Sequence, residues 1–353
     1  MMRTMLSWSG LLAILPGMSA PRPETVWYTR CPVPTATGIA ADQNWLADAF
    51  APDGVAVRSL QEEDAGDRRA EHFRHRLATL IREGGNVPAL WARSNGAPTR
   101  LVGLTWIEER QVVVARPGAG VHGPGDLKGL RLAIPRRSIE IDFWRAMALR
   151  GFDGALRRAG LTLADADLVD LDGDVLPGQW EAELAALRDG RVDAVYTKGA
   201  VAVETAARYG AEVAIDLDAL PDRSARVNNG TPRPITVDQR LLDDHPDLVV
   251  RFLAVLLGAA DWARDRPAEV ARILGAETGS GPAGVAAAYR NASDLHADLS
   301  DERLTLLAGQ EEFLRRHGFH DAPVDVSAWA DPAPLAAARR LVPDLPFLSL
   351  EKP

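Results

Sequence analysis

The sequence has 353 residues, of which 46% are hydrophobic and 25% are charged, a balance typical of a globular protein with room for two domains or two lobes. Forty basic residues against 49 acidic ones give a net charge of -9, without a cluster of lysine and arginine. This argues against nucleic acid as the main partner, because binding to phosphates requires clustered positive charge. The single cysteine rules out an internal disulfide framework.

The first residues, 1–23, are interpreted as a mobile start or a weak secretory signal. An apolar run extends from Leu6 to Leu15, but serines and a glycine interrupt it, and Pro21 stands where the mature chain would begin. The run is too short to span a membrane. We expect a cytoplasmic protein, or a periplasmic or secreted one if the signal is genuine.

The first part of the chain alternates strands and helices. Residues 27–30 form an aromatic strand that ends at Cys31, and residues 40–50 have helical spacing before a strand at 55–57. This order is typical of a parallel α/β layer. A further helix is predicted over Arg68–Arg82, ending at a glycine pair that can adopt the left-handed conformation.

Two irregular passages predict how the chain divides into lobes. Residues 117–129 are rich in glycine and proline and are interpreted as a crossing into a second lobe, and residues 228–234 as the return. The chain after the return is mostly helical. We therefore predict a two-lobed α/β protein, with lobe 1 formed by residues 24–116 and 235–353 and lobe 2 by residues 117–234. Small ligands bind in clefts between such lobes.

Five residues of the first lobe could form a reactive site. A thiolate at Cys31 would be a nucleophile, and the imidazole of His72 could take or share its proton. The planar guanidinium of Arg82 suits two oxygens of a carboxylate, sulfinate or phosphate. Gly84 and Gly85 would let backbone N–H groups approach an oxyanion without steric hindrance.

Each of these residues also has an ordinary structural explanation. A lone cysteine is commonly a small buried apolar side chain, and a histidine on the side of a helix is commonly solvated. An arginine such as Arg82 at the end of a helix interacts favourably with the helix dipole. Spacing along the chain does not show that the three side chains meet.

The sequence resembles the 2'-hydroxybiphenyl-2-sulfinate desulfinase family from about Trp27 to Pro332. The segment of the family nucleophile corresponds to the stretch that begins at Cys31. The other matching segments are His72-Phe73, Arg82-Glu83-Gly84-Gly85, Gly103-Leu104-Thr105, Arg110-Gln111, 125–129 and Trp262-Ala263-Arg264-Asp265. The resemblance implies a type II periplasmic-binding-protein-like fold with the ligand cleft between its lobes.

The resemblance also implies a function, the hydrolytic cleavage of the C–S bond of an aromatic sulfinate without a cofactor or a metal. Arg82 with the amides of Gly84 and Gly85 would hold the sulfinate. Cys31 would either attack sulfur or deliver a proton to the ring carbon, and His72 would orient Cys31 and hold the developing charge. Phe73 would belong to the substrate site, and Trp144 would press on the ring of the substrate.

The sequence departs from the family pattern after the strand 192–196. Where the family has a patch rich in tryptophan, this chain has Thr197, Lys198, Gly199 and Ala200, so Lys198 would add a positive charge to the pocket. The expected partner is a small aromatic sulfinate, bound by a monomer without nucleic acid or membrane. The alternative is a solute-binding protein of an ABC uptake system for a sulfonate, nitrate or a thiamine precursor, which needs an anion clamp but no thiol.

Overall fold

The computed structural model describes residues 20–62, 66–174, 180–290 and 294–345, so residues 1–19 of the expected mobile start or signal at 1–23 lie outside it. In these ranges ten strands form two sheets of five, in the orders β2-β1-β3-β10-β4 and β7-β6-β8-β5-β9. In chain order the strands are β1 (Thr25–Arg30), β2 (Ala56–Ser59), β3 (Leu80–Glu83), β4 (Thr99–Thr105), β5 (Gln111–Ala115), β6 (Arg131–Arg136), β7 (Asp167–Asp172), β8 (Ala194–Lys198), β9 (Glu212–Asp216) and β10 (Arg233–Asp238).

Helices cover both sheets, and none within the described ranges is long and apolar enough to cross a membrane. In chain order the helices are α1 (Ala36–Asp42), α2 (Trp45–Phe50), α3 (Gly66–Arg69), α4 (Glu71–Arg74), α5 (Asn86–Ser94), α6 (Phe143–Arg158), α7 (Glu181–Arg188), α8 (Ala200–Arg208), α9 (Gln239–Asp244), α10 (Pro246–Arg264), α11 (Pro267–Thr278), α12 (Pro282–Ala288), α13 (Asp301–Arg316), α14 (Val326–Trp329) and α15 (Ala333–Leu341).

The predicted two-lobed α/β architecture is confirmed. In the first sheet β1 runs parallel to β2 and β3, and β10 returns from the second sheet to lie antiparallel between β3 and β4. The second sheet has a parallel core of β7, β6 and β8, which β5 and β9 extend in the antiparallel direction. Both halves of the first lobe therefore contribute strands to one sheet.

Strand pairing corrects one expected boundary between the lobes. The predicted boundary at residue 116 puts β5 in lobe 1, but residues 111–115 pair with β8 and β9 of the second sheet. The chain leaves the first sheet at residues 106–110, and the glycine-rich passage 117–129 connects two strands of the second sheet. The glycine and proline content of that passage indicates a loop, but a crossing between the sheets does not require a segment of such composition.

The helix predicted over Arg68–Arg82 is also wrong. Two short helices, α3 and α4, end at Arg74, and His75 follows in the left-handed conformation with φ of 50°. The apolar residues Leu80 and Ile81 belong to β3, where pairing with β1 and β10 buries them. The helical spacing was therefore overridden by non-local pairing between strands.

Each lobe has one long helix packed against its sheet. α10 begins with Pro246, a residue favoured at the first helical position, and buries thirteen of its nineteen residues in the core of lobe 1. α6 begins where Asp142 accepts a hydrogen bond of 3.0 Å from the N–H of Arg145. It lies against β6 and β8, the strand that ends at Lys198.

Candidate active site

A cavity of about 540 Å³ lies between the two sheets and takes its lining from both lobes. One wall is apolar and aromatic, and the other carries the thiol, an imidazole and a group of charged side chains. The residues on which its chemistry depends are Thr29, Cys31, His72, Phe73, Glu109, Phe143, Trp144, Lys198, Asn229, Arg233 and Tyr289.

Cys31 follows directly after β1 and faces this cavity. Its backbone N–H donates to the carbonyl of Glu83 (3.3 Å), and Val33 N–H donates back to the Cys31 carbonyl (2.9 Å). The Sγ atom accepts a hydrogen bond of 3.3 Å from the N–H of Gly85. The end of β1 and the end of β3 thus fix the sulfur atom, which is partly exposed to the cavity.

His72 lies on α4 beside this sulfur. Its Nε2 is 3.9 Å from Cys31 Sγ, and its Nδ1 is 2.8 Å from Thr29 Oγ1. Burial and the neighbouring charge of Arg82 hold the pKa of His72 well below its ordinary value. The imidazole is therefore neutral near pH 7, and it is oriented at both nitrogens.

Arg82 lies behind the wall of the cavity and does not line it. On β3, its Nε donates to the carbonyl of His72 (2.8 Å) and its Nη2 to the carbonyl of Gly85 (3.1 Å). Burial is the main cause that lowers the pKa of Arg82. Its Nη1 is buried without a hydrogen-bond partner among the described residues. In this arrangement the guanidinium ties two neighbours of Cys31 together.

The two glycines after β3 have different roles. The N–H of Gly85 points at the reactive sulfur, whereas the N–H of Gly84 donates to the carbonyl of Pro234 (3.2 Å). A Cβ on Gly84 would lie 2.7 Å from Arg82 Cζ, and one on Gly85 would overlap Asn229. Both positions require glycine because of this close approach, and both of the predicted amides donate to acceptors within the protein, that of Gly85 to the Cys31 sulfur.

The aromatic wall contains both predicted ring contacts. Phe73 stacks on Phe143 with ring centroids 6.2 Å apart and an angle of 17°, and it meets His72 edge-on at 5.1 Å. Trp144 is packed edge-on against Trp180 at 5.2 Å. Its indole Nε1 is buried without a partner in the part of the chain that is described. Phe73, Phe143 and Trp144 line the cavity together, where their rings can contact a flat ligand.

Lys198 faces the cavity, at the end of β8. Its Nζ lies 2.7 Å from Glu109 Oε1, and the same oxygen accepts a short hydrogen bond from Arg233 Nη2. Glu109 and Arg233 were not expected at the site. Glu109 stands directly before a family motif, and Arg233 stands in a Pro-Arg-Pro turn signal, but only the fold brings these residues, 124 positions apart, into contact.

The charges of this group depend on one another. Burial favours a protonated Glu109, but Lys198 and Arg233 outweigh it and hold the pKa of Glu109 below its ordinary value. Burial lowers the pKa of Lys198 although Glu109 opposes the shift. For Arg233, Glu109 and the Cys31 sulfur overcome the effect of burial and raise the pKa. Two cations therefore share one carboxylate at the polar end of the cavity.

His75 is directed away from the cavity. Its Nε2 lies 3.3 Å from the carbonyl of Leu80 and its Nδ1 lies 3.3 Å from Thr236 Oγ1. Burial and the charge of Arg82 lower the pKa of His75 to about 3. No group of three histidine, cysteine, aspartate or glutamate side chains suited to a metal ion occurs in the described ranges. His75 therefore supports the backbone near β3.

Comparison with known proteins first defines the class. The family model described as NMT1/THI5 like matches residues 39–270, more than half of the chain, so the protein belongs to this family. The two-lobed fold matches the periplasmic aliphatic sulphonate binding protein SsuA from Escherichia coli with a TM-score of 0.68 and 16% identity, over 88% of this chain and 92% of that one.

The comparison then points to a particular relative. The chain is 27% identical to the 2'-hydroxybiphenyl-2-sulfinate desulfinase of Rhodococcus erythropolis, over 88% of this chain and 92% of that protein. The crystal structure of a cysteine-to-serine mutant of DSZB in complex with biphenyl-2-sulfinic acid has the same fold, with a TM-score of 0.71 and 24% identity over 90% of this chain and 99% of that one. The resemblance predicted from the motifs is confirmed.

Proposed function

We propose that the protein is a desulfinase, which cleaves the C–S bond of an aromatic sulfinate and releases sulfite. The observation that carries this proposal is the position of Cys31 Sγ in an aromatic-walled cavity, with His72 Nε2 at 3.9 Å and the N–H of Gly85 at 3.3 Å. A module that only binds an anion has no need of an oriented thiol. The similarity to a desulfinase over most of both chains supports the same conclusion.

The proposed reaction is a hydrolysis and needs no electron transfer. An aryl sulfinate and water give the arene and hydrogen sulfite, ArSO₂⁻ + H₂O → ArH + HSO₃⁻. The ring carbon gains a proton, and the sulfur gains the hydroxyl group of water. The protein must therefore hold the sulfinate, deliver one proton to carbon and stabilise the charge that this transfer leaves behind.

We assign the proton transfer to Cys31. His72 is a weak base here, because burial and the nearby Arg82 oppose a second proton on its ring. The thiol proton therefore passes to the ring carbon as the C–S bond breaks, and sulfur dioxide leaves and is hydrated. The N–H of Gly85 and the neutral ring of His72 then stabilise the thiolate until a proton from the hydration step restores the thiol.

The arene occupies the aromatic wall of the cavity. Phe73, Phe143 and Trp144 present ring faces and edges to this space. Ring contacts of this kind contribute about 0.5–1.5 kcal/mol each beyond the area that they bury. Arg82 remains the predicted sulfinate clamp by resemblance, and its two hydrogen bonds to backbone carbonyls also hold His72 and Gly85 in place.

The test is the release of sulfite from 2'-hydroxybiphenyl-2-sulfinate and from benzenesulfinate. We expect release by the wild type and a loss of about 10²- to 10⁴-fold in the Cys31→Ser variant, the range for a general acid. Equal rates in both proteins would remove Cys31 from the mechanism. Tight binding of sulfinates or sulfonates without any release would favour the solute-binding alternative.

A single-turnover experiment tests the role of the thiol. Mass spectrometry of the protein, quenched during turnover, is expected to show unmodified Cys31. An adduct of sulfur dioxide on Cys31 would replace proton transfer with nucleophilic attack on sulfur. The unfolding midpoint of Cys31→Ser should match that of the wild type, which excludes a folding defect as the cause of lost activity.

A further inference from the structure

We infer that Arg233, anchored by Glu109 and flanked by Lys198, binds the sulfinate oxygens of the substrate beside Cys31. This inference rests on the proposed function and deepens it, since it adds to the anion site residues outside the recognised motifs. Arg233 then contacts the ligand in addition to the clamp that the resemblance implies for Arg82.

Arg233 is buried, and some of its N–H groups have no hydrogen-bond acceptor among the described residues. It is the first residue of β10, lines the cavity and is only 1% exposed. Its Nη2 donates to Glu109 Oε1, but its Nε and Nη1 are buried without a partner in the described ranges. A buried charged donor without an acceptor costs free energy, so these two N–H groups suit a ligand with oxygen atoms.

The position of Arg233 matches the place where a sulfinate would react. Glu109 in the first place, and the Cys31 sulfur after it, raise the pKa of Arg233 against the effect of burial, so the guanidinium and the sulfur are close enough to interact. Cys31 and Arg233 line the same cavity as the aromatic side chains. A ring held by Phe73 and Trp144 would thus present its sulfinate group to the thiol and the guanidinium together.

Arg82 is placed less favourably for direct contact. It does not line the cavity, and two of its nitrogens already donate to the carbonyls of His72 and Gly85. Gly84 covers the guanidinium so closely that a Cβ there would lie 2.7 Å from Arg82 Cζ. The guanidinium therefore positions its neighbours, and only its Nη1, which is buried without a partner among the described residues, is left for a ligand.

Lys198 and Glu109 complete the anion site. The Nζ of Lys198 has one partner among the described residues, Glu109 Oε1 at 2.7 Å, so two of its three N–H bonds remain for a ligand. One carboxylate is shared by two cations, which leaves one positive charge in a buried space. An anion compensates this charge, and a neutral ligand does not.

The inference is tested by binding rather than by turnover. In the Cys31→Ser background, calorimetry measures the affinity for benzenesulfinate and for the neutral methyl phenyl sulfone. We expect Arg233→Met to weaken benzenesulfinate binding by roughly 10- to 150-fold, the value of hydrogen bonds to a charged group, and to leave the sulfone unaffected. Arg188→Met, at an exposed surface arginine, is the control and should change neither affinity.

Further variants distinguish side chains that contact the ligand directly from side chains that only support the site. Arg233→Lys keeps the charge without the planar fork, and it should bind more weakly than the wild type but more tightly than Arg233→Met. Lys198→Met should weaken sulfinate binding by a smaller factor. The inference is wrong if Arg233→Met binds benzenesulfinate as tightly as the wild type, or if it loses as much affinity for the sulfone as for the sulfinate. If Arg233→Met does not fold, unchanged benzenesulfinate affinity in Arg233→Lys would overturn the inference instead.

The two proposals can fail separately. If the wild type releases no sulfite from any sulfinate but Arg233→Met still loses binding of the anion, the anion site stands and the desulfinase assignment fails. If sulfite is released and only Arg82 variants lose affinity, the desulfinase assignment stands and Arg82 is the clamp.

Discussion

Gly230 shows how closely the polar end of the cavity is packed. A Cβ at this position would overlap Glu109 Oε1, and it would lie 2.6 Å from Arg233 Nη2 and 3.1 Å from Lys198 Nζ. The backbone at Gly230 thus occupies the space directly against the three charged groups. No side chain fits there unless the shared carboxylate or one of its cations moves.

We therefore expect Gly230→Ala to disturb the site as well as the fold. Overpacking of a close contact costs about 1–3 kcal/mol, and here it falls on a buried ion pair. Thermal unfolding should show the lost stability, and benzenesulfinate affinity should fall with it. The control is Gly123→Ala, where a Cβ meets nothing within 4 Å. Unchanged affinity in Gly230→Ala would show that the charged group does not hold the anion.

Individual residues could be predicted where a motif and a strand end coincide. Cys31 and Gly85 both follow strands whose ends meet, and the structure brings them together with His72. Arg233 could not be found in this way, because Pro-Arg-Pro indicates a turn and a proline is unusual inside a sheet. Its partner Glu109 is distant in sequence, so only the folded chain reveals the pair.

The short helix α4 joins the two lobes at the mouth of the cavity. It carries His72, and its neighbour Phe73 stacks on Phe143 of the second lobe. Arg74 Nε on the same helix donates to Glu140 of the second lobe at 2.9 Å. The ring contact is partly buried and the ion pair is exposed, so the two contacts differ in energy.

Two variants of α4 compare these contacts. Phe73→Ala removes the stack and the edge contact with His72, and we expect a loss of about 2- to 12-fold in kcat/KM from the ring contacts. Arg74→Gln removes the exposed ion pair with Glu140, a kind of contact worth about 0.2–1 kcal/mol, and should leave kcat nearly unchanged. Steady-state sulfite release measures both. A larger effect of Arg74→Gln would mean that the ion pair, and not the ring stack, positions His72.

Helices and strands could be predicted from the local sequence pattern, except where pairing with strands distant in the sequence determines the secondary structure. The strands of the second lobe and the long helices α6, α10 and α13 follow their patterns closely. The segment before Arg82 has helical spacing, yet β1 and β10 draw it into a sheet. β10 itself was hidden by its proline, which the sheet accommodates beside an irregular register at Ile235 and Thr236.

At the scale of the molecule, the site lies between the two sheets, where the carboxyl ends of strands from both sheets meet. Cys31 follows β1, Gly85 follows β3, and Lys198 closes β8. Ligand sites in open α/β sheets are commonly found at the carboxyl ends of strands. The architecture therefore predicts the location of the cavity, whereas its charge depends on side chains from the two connections between the lobes.

The buried histidines make the stability of the whole fold depend on pH. The pKa of His75 is about 3 in the folded protein and about 6.5 in an unfolded chain. Between these values the unfolded state binds more protons, so acidification favours unfolding and stability rises with pH. The contribution is complete above pH 6.5 and is lost progressively below it, at about 1.4 kcal/mol per pH unit.

Urea unfolding at a series of pH values from 7.5 to 4.5 tests this dependence. His75→Gln removes the titrating ring, so its free energy of unfolding should fall less steeply on acidification than that of the wild type, by about 1.4 kcal/mol per pH unit below pH 6. The comparison uses slopes, because the loss of the contacts with Leu80 and Thr236 also lowers stability at every pH. Gly123→Ala, which changes no titrating group and adds a Cβ that meets nothing within 4 Å, should keep the slope of the wild type. Parallel curves for the wild type and His75→Gln would mean that His75 is protonated in the folded protein. The conclusion that a neutral imidazole packs beside β3 would then be wrong.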